Sequence, residues 1–196
     1  LNMGAIGAMV SKIYNVSSMS AISIKNSLNL MIANSTFHKI NIQVIQIYET
    51  EKVHVERNQF VHCAAALSFR NSYYHSTETL IILRCFFLQN MSGNKSSILG
   101  ISHVNYVIIE LCEFIANEGI EGGGLSLYNI STAFINANYI EANFARNGGA
   151  IAAKRINVFR ITNTGIKGNE ARISGSIYAY NANTFYISDC LFGLNK

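Results

Sequence analysis

The chain has no proline and no tryptophan, and charged residues make up only 13% of its 196 positions. With no proline, every residue keeps the backbone N–H that strand pairing needs. No apolar run approaches the ~20 residues required to span a bilayer as a helix, which excludes that kind of membrane span. The net charge of +4 is spread without a basic run or an aromatic-basic stripe, which argues against a nucleic-acid partner. There is a single aspartate, Asp189, so clustered carboxylates would have to be built from glutamates. The histidines His38, His54, His62, His75 and His103 show no metal-ligand spacing, and no metal or other cofactor is expected. Leu1 to Val10 is apolar with no basic segment before it, so no signal peptide is read there. Lacking an initiator methionine, the chain reads as a processed product or a fragment.

What is present is a period. Asn90, Asn117, Asn143, Asn169 and Asn195 recur at intervals of 27, 26, 26 and 26 residues. Each closes an apolar-x-x-Asn unit, beginning at Phe87, Phe114, Ile140, Ile166 and Phe192. A fixed period of this length in a chain of short alternating segments is the mark of a solenoid, one coil per period. Ile22, Leu99, Leu125, Ile151 and Ile177 each open an apolar-x-apolar stretch in step with the asparagines. A further track runs through Leu80/Ile82, Val107/Ile109, Phe134/Ile135, Phe159/Ile161 and Phe185/Ile187. Three half-buried strands per period, each stacked on its equivalent one coil on, describe a parallel β-helix. The whole chain, 1–196, is expected to form one such all-β domain, with about seven coils of 22–27 residues.

The first third is less regular. Ser35 and Asn58 hold the position later taken by Cys85, Cys112, Asn138, Thr164 and Cys190, while Ile40 and Cys63 replace the asparagine. Between Phe69 and Leu80 lies a polar and aromatic stretch longer than its counterparts, the best candidate for a protruding loop.

Gly148-Gly149-Ala150-Ile151, together with the Phe-x-x-Asn copies at Phe87, Phe114 and Phe192, resembles the repeat of polymorphic outer-membrane-protein adhesins. More broadly the chain resembles the right-handed parallel β-helices of the pectin-lyase-like superfamily. The resemblance spans residues 80–196 and, more loosely, 20–79. It implies a right-handed winding and adhesion at a surface.

An asparagine side chain carries two donors and an acceptor and tolerates the turn conformations that end a strand, so stacked asparagines can bond each other and the turn backbone. The small-residue pairs Gly123-Gly124 and Gly149-Ala150 are read as tight turns whose glycines allow positive φ; no lysine follows them as a phosphate loop requires. Cys85 and Cys112 share a position in adjacent coils, about 4.8 Å apart at Cα. That separation permits a bridge, whereas side chains pointing the same way suit a stack of free thiols. Five acceptor sequons occur; Asn94, Asn129, Asn15 and Asn34 are candidate glycan carriers, and Asn90 belongs to the ladder and should be occluded.

The expectation is therefore a non-enzymatic, extracellular or cell-surface rod, structural or adhesive. Its partners would be surface glycans or cell-surface ligands, or further copies meeting end to end in a filament. The rival is a glycan-processing enzyme using glutamates on the lateral groove, such as Glu118 and Glu170 at equivalent positions two coils apart.

Overall fold

The computed structural model describes residues 6–8, 12–13, 20–71, 77–93 and 97–196. Among these residues there is no helix, and the strands pair in parallel with copies of themselves from the next coil. The chain is a β-solenoid. One sheet passes through eight strands, from Lys12–Ile13 through Phe86–Leu88 and Glu113–Ile115 to Leu191–Gly193. A second has eleven strands, and a third has three: Glu118–Glu121, Phe144–Asn147 and Glu170–Ser174.

The apolar positions fill the interior because the period places each on its equivalent. Phe37, Phe60, Phe87, Phe114, Ile140, Ile166 and Phe192 form one column in register. The phenylalanine rings lie nearly flat on one another, with centroids 4.9, 5.0 and 4.7 Å apart from Phe37 to Phe114. Parallel rings at this spacing add about 0.5–1.5 kcal/mol per pair beyond the area they bury. Six members of the column are fully buried, whereas Phe192 is 44% exposed because no described strand lies above it. The column is therefore not buried throughout. Ile22, Ile45, Leu67, Leu99, Leu125, Ile151 and Ile177 make a second column.

The third track differs from the sequence reading at one coil. Ala133, not Phe134, takes the inward place between Val107 and Phe159. Phe134 pairs instead with Ile108 and Arg160 on the outer side, and Ile135 stays in the core between Ile109 and Ile161. Alternation along a strand allows only one of two neighbours to face inward, and here the smaller residue does.

Two tracks read as separate strands are also fused in the later coils. Leu99–Glu110, Leu125–Asn136, Ile151–Thr162 and Ile177–Ser188 are each a single 12-residue strand. A left-handed residue near the middle bends each one: His103, Asn129, Arg155 and Asn181, with φ of 58, 53, 56 and 55°. In the earlier coils the same span is split, as Ser20–Lys25 then Asn29–Ala33, with corners at Asn26 and Glu49.

The asparagines act one step later in the turn than their own φ. The left-handed residues are those just before them, Gln89, Ala116, Ala142, Gly168 and Leu194. Four of these carry a Cβ, and each such residue costs about 1–2 kcal/mol. The asparagine that follows supplies the offset. Asn117 Oδ1 accepts from the backbone N–H and from Nδ2 of Asn90, at 3.0 and 2.9 Å. Asn143 and Asn169 repeat this pair one and two coils on. Each Nδ2 also donates to a carbonyl of the preceding coil: Asn117 to Phe87, Asn143 to Phe114 and Asn169 to Ile140. Asn90, Asn117, Asn143 and Asn169 are essentially buried, so these bonds form out of reach of water. Asn195 at the last coil makes the same bonds while only half-buried.

A shorter ladder fills the other corner. Asn58 accepts from the Ser35 N–H at 3.0 Å, and Asn138 accepts from the Cys112 N–H at 2.9 Å. Between them the Cys85 N–H donates to Cys112 Sγ at 3.4 Å. In the glycine turns the positive φ falls on Gly122 and Gly148, one residue before the pairs read from sequence. Gly149 meets a different constraint: a Cβ there would lie 2.6 Å from the Glu170 carbonyl oxygen of the next coil.

The register makes a quantitative expectation. Phe114→Ala should lower unfolding free energy by about 3–5 kcal/mol, as removing a buried ring does. Phe134→Ala should cost at least about 2 kcal/mol less, since that ring lies at the surface. Urea unfolding of both variants checks this, and equal losses would contradict the register.

Candidate functional site

The bend in the four long strands has a consequence on the outside. At the left-handed residue the strand bends, and stacking repeats that bend coil after coil. The result is a polar concavity of about 460 Å³ crossing the strands. Its walls are two columns: His103, Asn129, Arg155 and Asn181, and beside them Asn105, Ser131, Asn157 and Asn183. Between them Val104, Ile130 and Ile156, the residues that follow the left-handed positions, point into the core.

Amides and hydroxyls dominate this groove, and no carboxylate lines it. Asn183 Nδ2 donates to Asn157 Oδ1 at 3.0 Å, so the outer asparagines also stack, here in contact with solvent. Arg155 Nη1 donates to the Tyr128 hydroxyl at 2.9 Å, and its guanidinium lies 5.6 Å from the centre of that ring. His103 meets the edge of the same ring at 5.7 Å, and burial pushes its imidazole below the usual histidine range. At neutral pH His103 is therefore an uncharged member of the wall.

Glu118 and Glu170 hold equivalent positions two coils apart, as read from the sequence. Glu118 pairs with Phe144, and Phe144 with Glu170, so the ring stands between the two carboxylates. Arg172 lies over that ring at 5.5 Å. Other carboxylates are engaged by neighbouring side chains. Glu110 accepts from Asn136 Nδ2 at 2.7 Å, Glu141 from the Tyr139 hydroxyl at 2.7 Å, and Glu121 pairs with Lys154. Asp189 occupies a left-handed corner. His38 and His62 pack edge to face at 5.7 Å, and His54 lies 3.4 Å from Glu56. Among the described residues no three metal-ligating side chains converge.

Of the candidate glycan carriers, Asn34 is an exposed left-handed corner and Asn129 is exposed within the groove. Asn15 and Asn94 lie outside the described residues, as do His75 and the middle of the long loop, 72–76. The loop's described ends are pinned together: Asn71 Nδ2 donates to Thr77 Oγ1 at 2.6 Å, and Thr77 to the Thr50 carbonyl at 2.6 Å. Asn90 is fully buried in the ladder.

An arrangement invisible in the linear sequence is an aromatic-basic stripe. The guanidinium of Arg160 sits between Phe134 and Tyr186, at 5.9 and 5.3 Å. Lys154 lies over Tyr178 at 5.4 Å. The sequence shows no such stripe because its members come from successive coils; reading it in rows of one period aligns Phe134, Arg160 and Tyr186. No protein-family model, curated protein or solved structure matches this chain. What stands is the parallel β-solenoid itself.

Cys63, Cys85, Cys112 and Cys190 are free thiols, and the first three are buried. Burial pushes the Cys112 thiol well above its usual range. A maleimide reagent applied to the native protein at neutral pH should therefore label Cys190 first. Cys63, Cys85 and Cys112 should react only after denaturation. Early labelling of Cys85 or Cys112, mapped by peptide mass, would contradict the buried stack.

Proposed function

We propose that this chain is a non-enzymatic structural or adhesive rod, working outside the cell or at its surface, that holds an extended glycan in the groove of its long strands. The observation that carries the reading is the repeat of amide side chains along that groove, Asn129 and Asn181 in one column and Asn157 and Asn183 in the next. Each amide offers donors and an acceptor, the chemistry that matches sugar hydroxyls. Asn157 and Asn183 are one strand spacing apart, about 4.8 Å, comparable to the length of one pyranose unit, and Asn129 and Asn181 are two spacings apart with Arg155 between them. They also sit on a rigid sheet, which holds a recognition surface more sharply than loops do.

The resemblance to adhesin repeats and to pectin-lyase-like β-helices supports the same reading. A right-handed winding accords with it, since about 98% of parallel crossovers in one sheet turn that way. Burial of Cys63, Cys85 and Cys112 would shield these three thiols in an oxidising exterior. A glycan-cleaving enzyme would need paired carboxylates about 5–9.5 Å apart across the scissile bond. Glu118 and Glu170 have Phe144 standing between them.

Two assays on the same preparation test the proposal. Immobilised polysaccharides should retain the protein, and the double variant Asn157→Ala, Asn183→Ala should bind at least about fivefold more weakly, the loss of roughly one hydrogen bond. Incubation with the retained polysaccharide should release no new reducing or unsaturated ends. Cleavage that disappears in Glu118→Gln would replace the proposal with the enzymatic one.

A further inference from the structure

We infer that the glycan held in this groove is anionic, bearing carboxylate or sulfate groups recognised by Arg155 in the groove wall and by Arg160, which lies outside the groove further along the same strand. This rests on reading the groove as a glycan site and concerns which glycan fits it.

The outer face of the long strands carries three cations, Lys154, Arg155 and Arg160. Lys154 is neutralised by Glu121. Neither arginine is: among the described residues, no ion pair involves Arg155 or Arg160. Both are exposed, and both are held in place by aromatic rings rather than by charge. One N–H of Arg155 is engaged by the Tyr128 hydroxyl, which fixes the plane of the guanidinium and leaves its other donors directed elsewhere. Arg160 is flanked by rings on two sides, an arrangement that orients the fork while its edge stays open.

A guanidinium of this kind pairs in bidentate fashion with a carboxylate or a sulfate. A neutral sugar needs only the amides. The intervening Asn157 and the neighbouring Asn129, Asn181 and Asn183 supply those neutral bonds, so hydroxyls and acidic groups have separate partners on one surface. A single-stranded nucleic acid is also anionic, but it binds through open aromatic faces on which bases stack. Here cations lie over the rings of Phe134, Tyr186, Tyr128 and Tyr178.

Calorimetric titration of the whole chain decides the matter, using four probes: a heparin oligosaccharide for sulfate, an oligogalacturonate for carboxylate, a neutral dextran oligosaccharide, and a single-stranded oligonucleotide. At least one anionic glycan should bind about tenfold or more tightly than dextran, and raising the salt should weaken it. Arg155→Gln and Arg160→Gln should each lose about tenfold for that probe. The weak dextran affinity should fall by much less in either variant, with an unaltered circular dichroism melt. Dextran binding as tightly as the anionic glycans, with no effect of either substitution, overturns the anionic assignment and leaves the glycan groove standing. Tightest binding to the oligonucleotide overturns it in favour of nucleic acid. Binding of no glycan removes the groove reading and this inference together.

Discussion

The whole architecture depends on exact repetition of side-chain position from coil to coil, and the asparagine ladder is where that constraint is most severe. Each coil turns through left-handed residues, most of which are not glycine. Such corners are costly one at a time. At Gln89, Ala116 and Ala142 they are sustained because the asparagine that follows is buried and bonds both to the equivalent turn and to a carbonyl of the preceding coil. An asparagine can do this because a single amide both donates and accepts. At the first corners, where Ile40 and Cys63 take its place, the ladder begins only as Asn90 accepts from the Cys63 N–H at 2.8 Å.

From that repetition the exterior follows. A left-handed residue placed mid-strand in each of the four long strands makes one bend, and stacking makes the bend a groove. Its walls are regular because the interior is. The same logic puts Arg160 between two rings whose residues lie a full period away on either side. Interior order and the exterior groove are thus one geometric fact seen from two sides.

This also explains what could be read from the chain alone. The Phe-x-x-Asn units and the Ile22 to Ile177 track were legible because inward positions are chemically uniform. Phe134 was misplaced because size suggested the core, whereas register with Val107 and Phe159 selects Ala133. The fusion of two tracks into one strand left no compositional signal: His103, Asn129, Arg155 and Asn181 share a conformation but not a chemistry. The groove went unread for the same reason. Outward residues vary freely, so only their alignment by period reveals that Asn157 and Asn183 stack. The third sheet, including Glu118–Glu121, was also not anticipated, since its residues are polar and half exposed.

Hydrogen exchange resolved by NMR tests the central claim most directly. If the ladder is the constraint on which the coils depend, the backbone N–H and the Nδ2 protons of Asn117 and Asn143 should exchange only through global unfolding. The side-chain amides of Asn157 and Asn181, on the outer surface, should exchange at near-solvent rates. Fast exchange at the Asn117 and Asn143 amides, with the strands themselves protected, would show that the coils hold together without the ladder and would contradict the account.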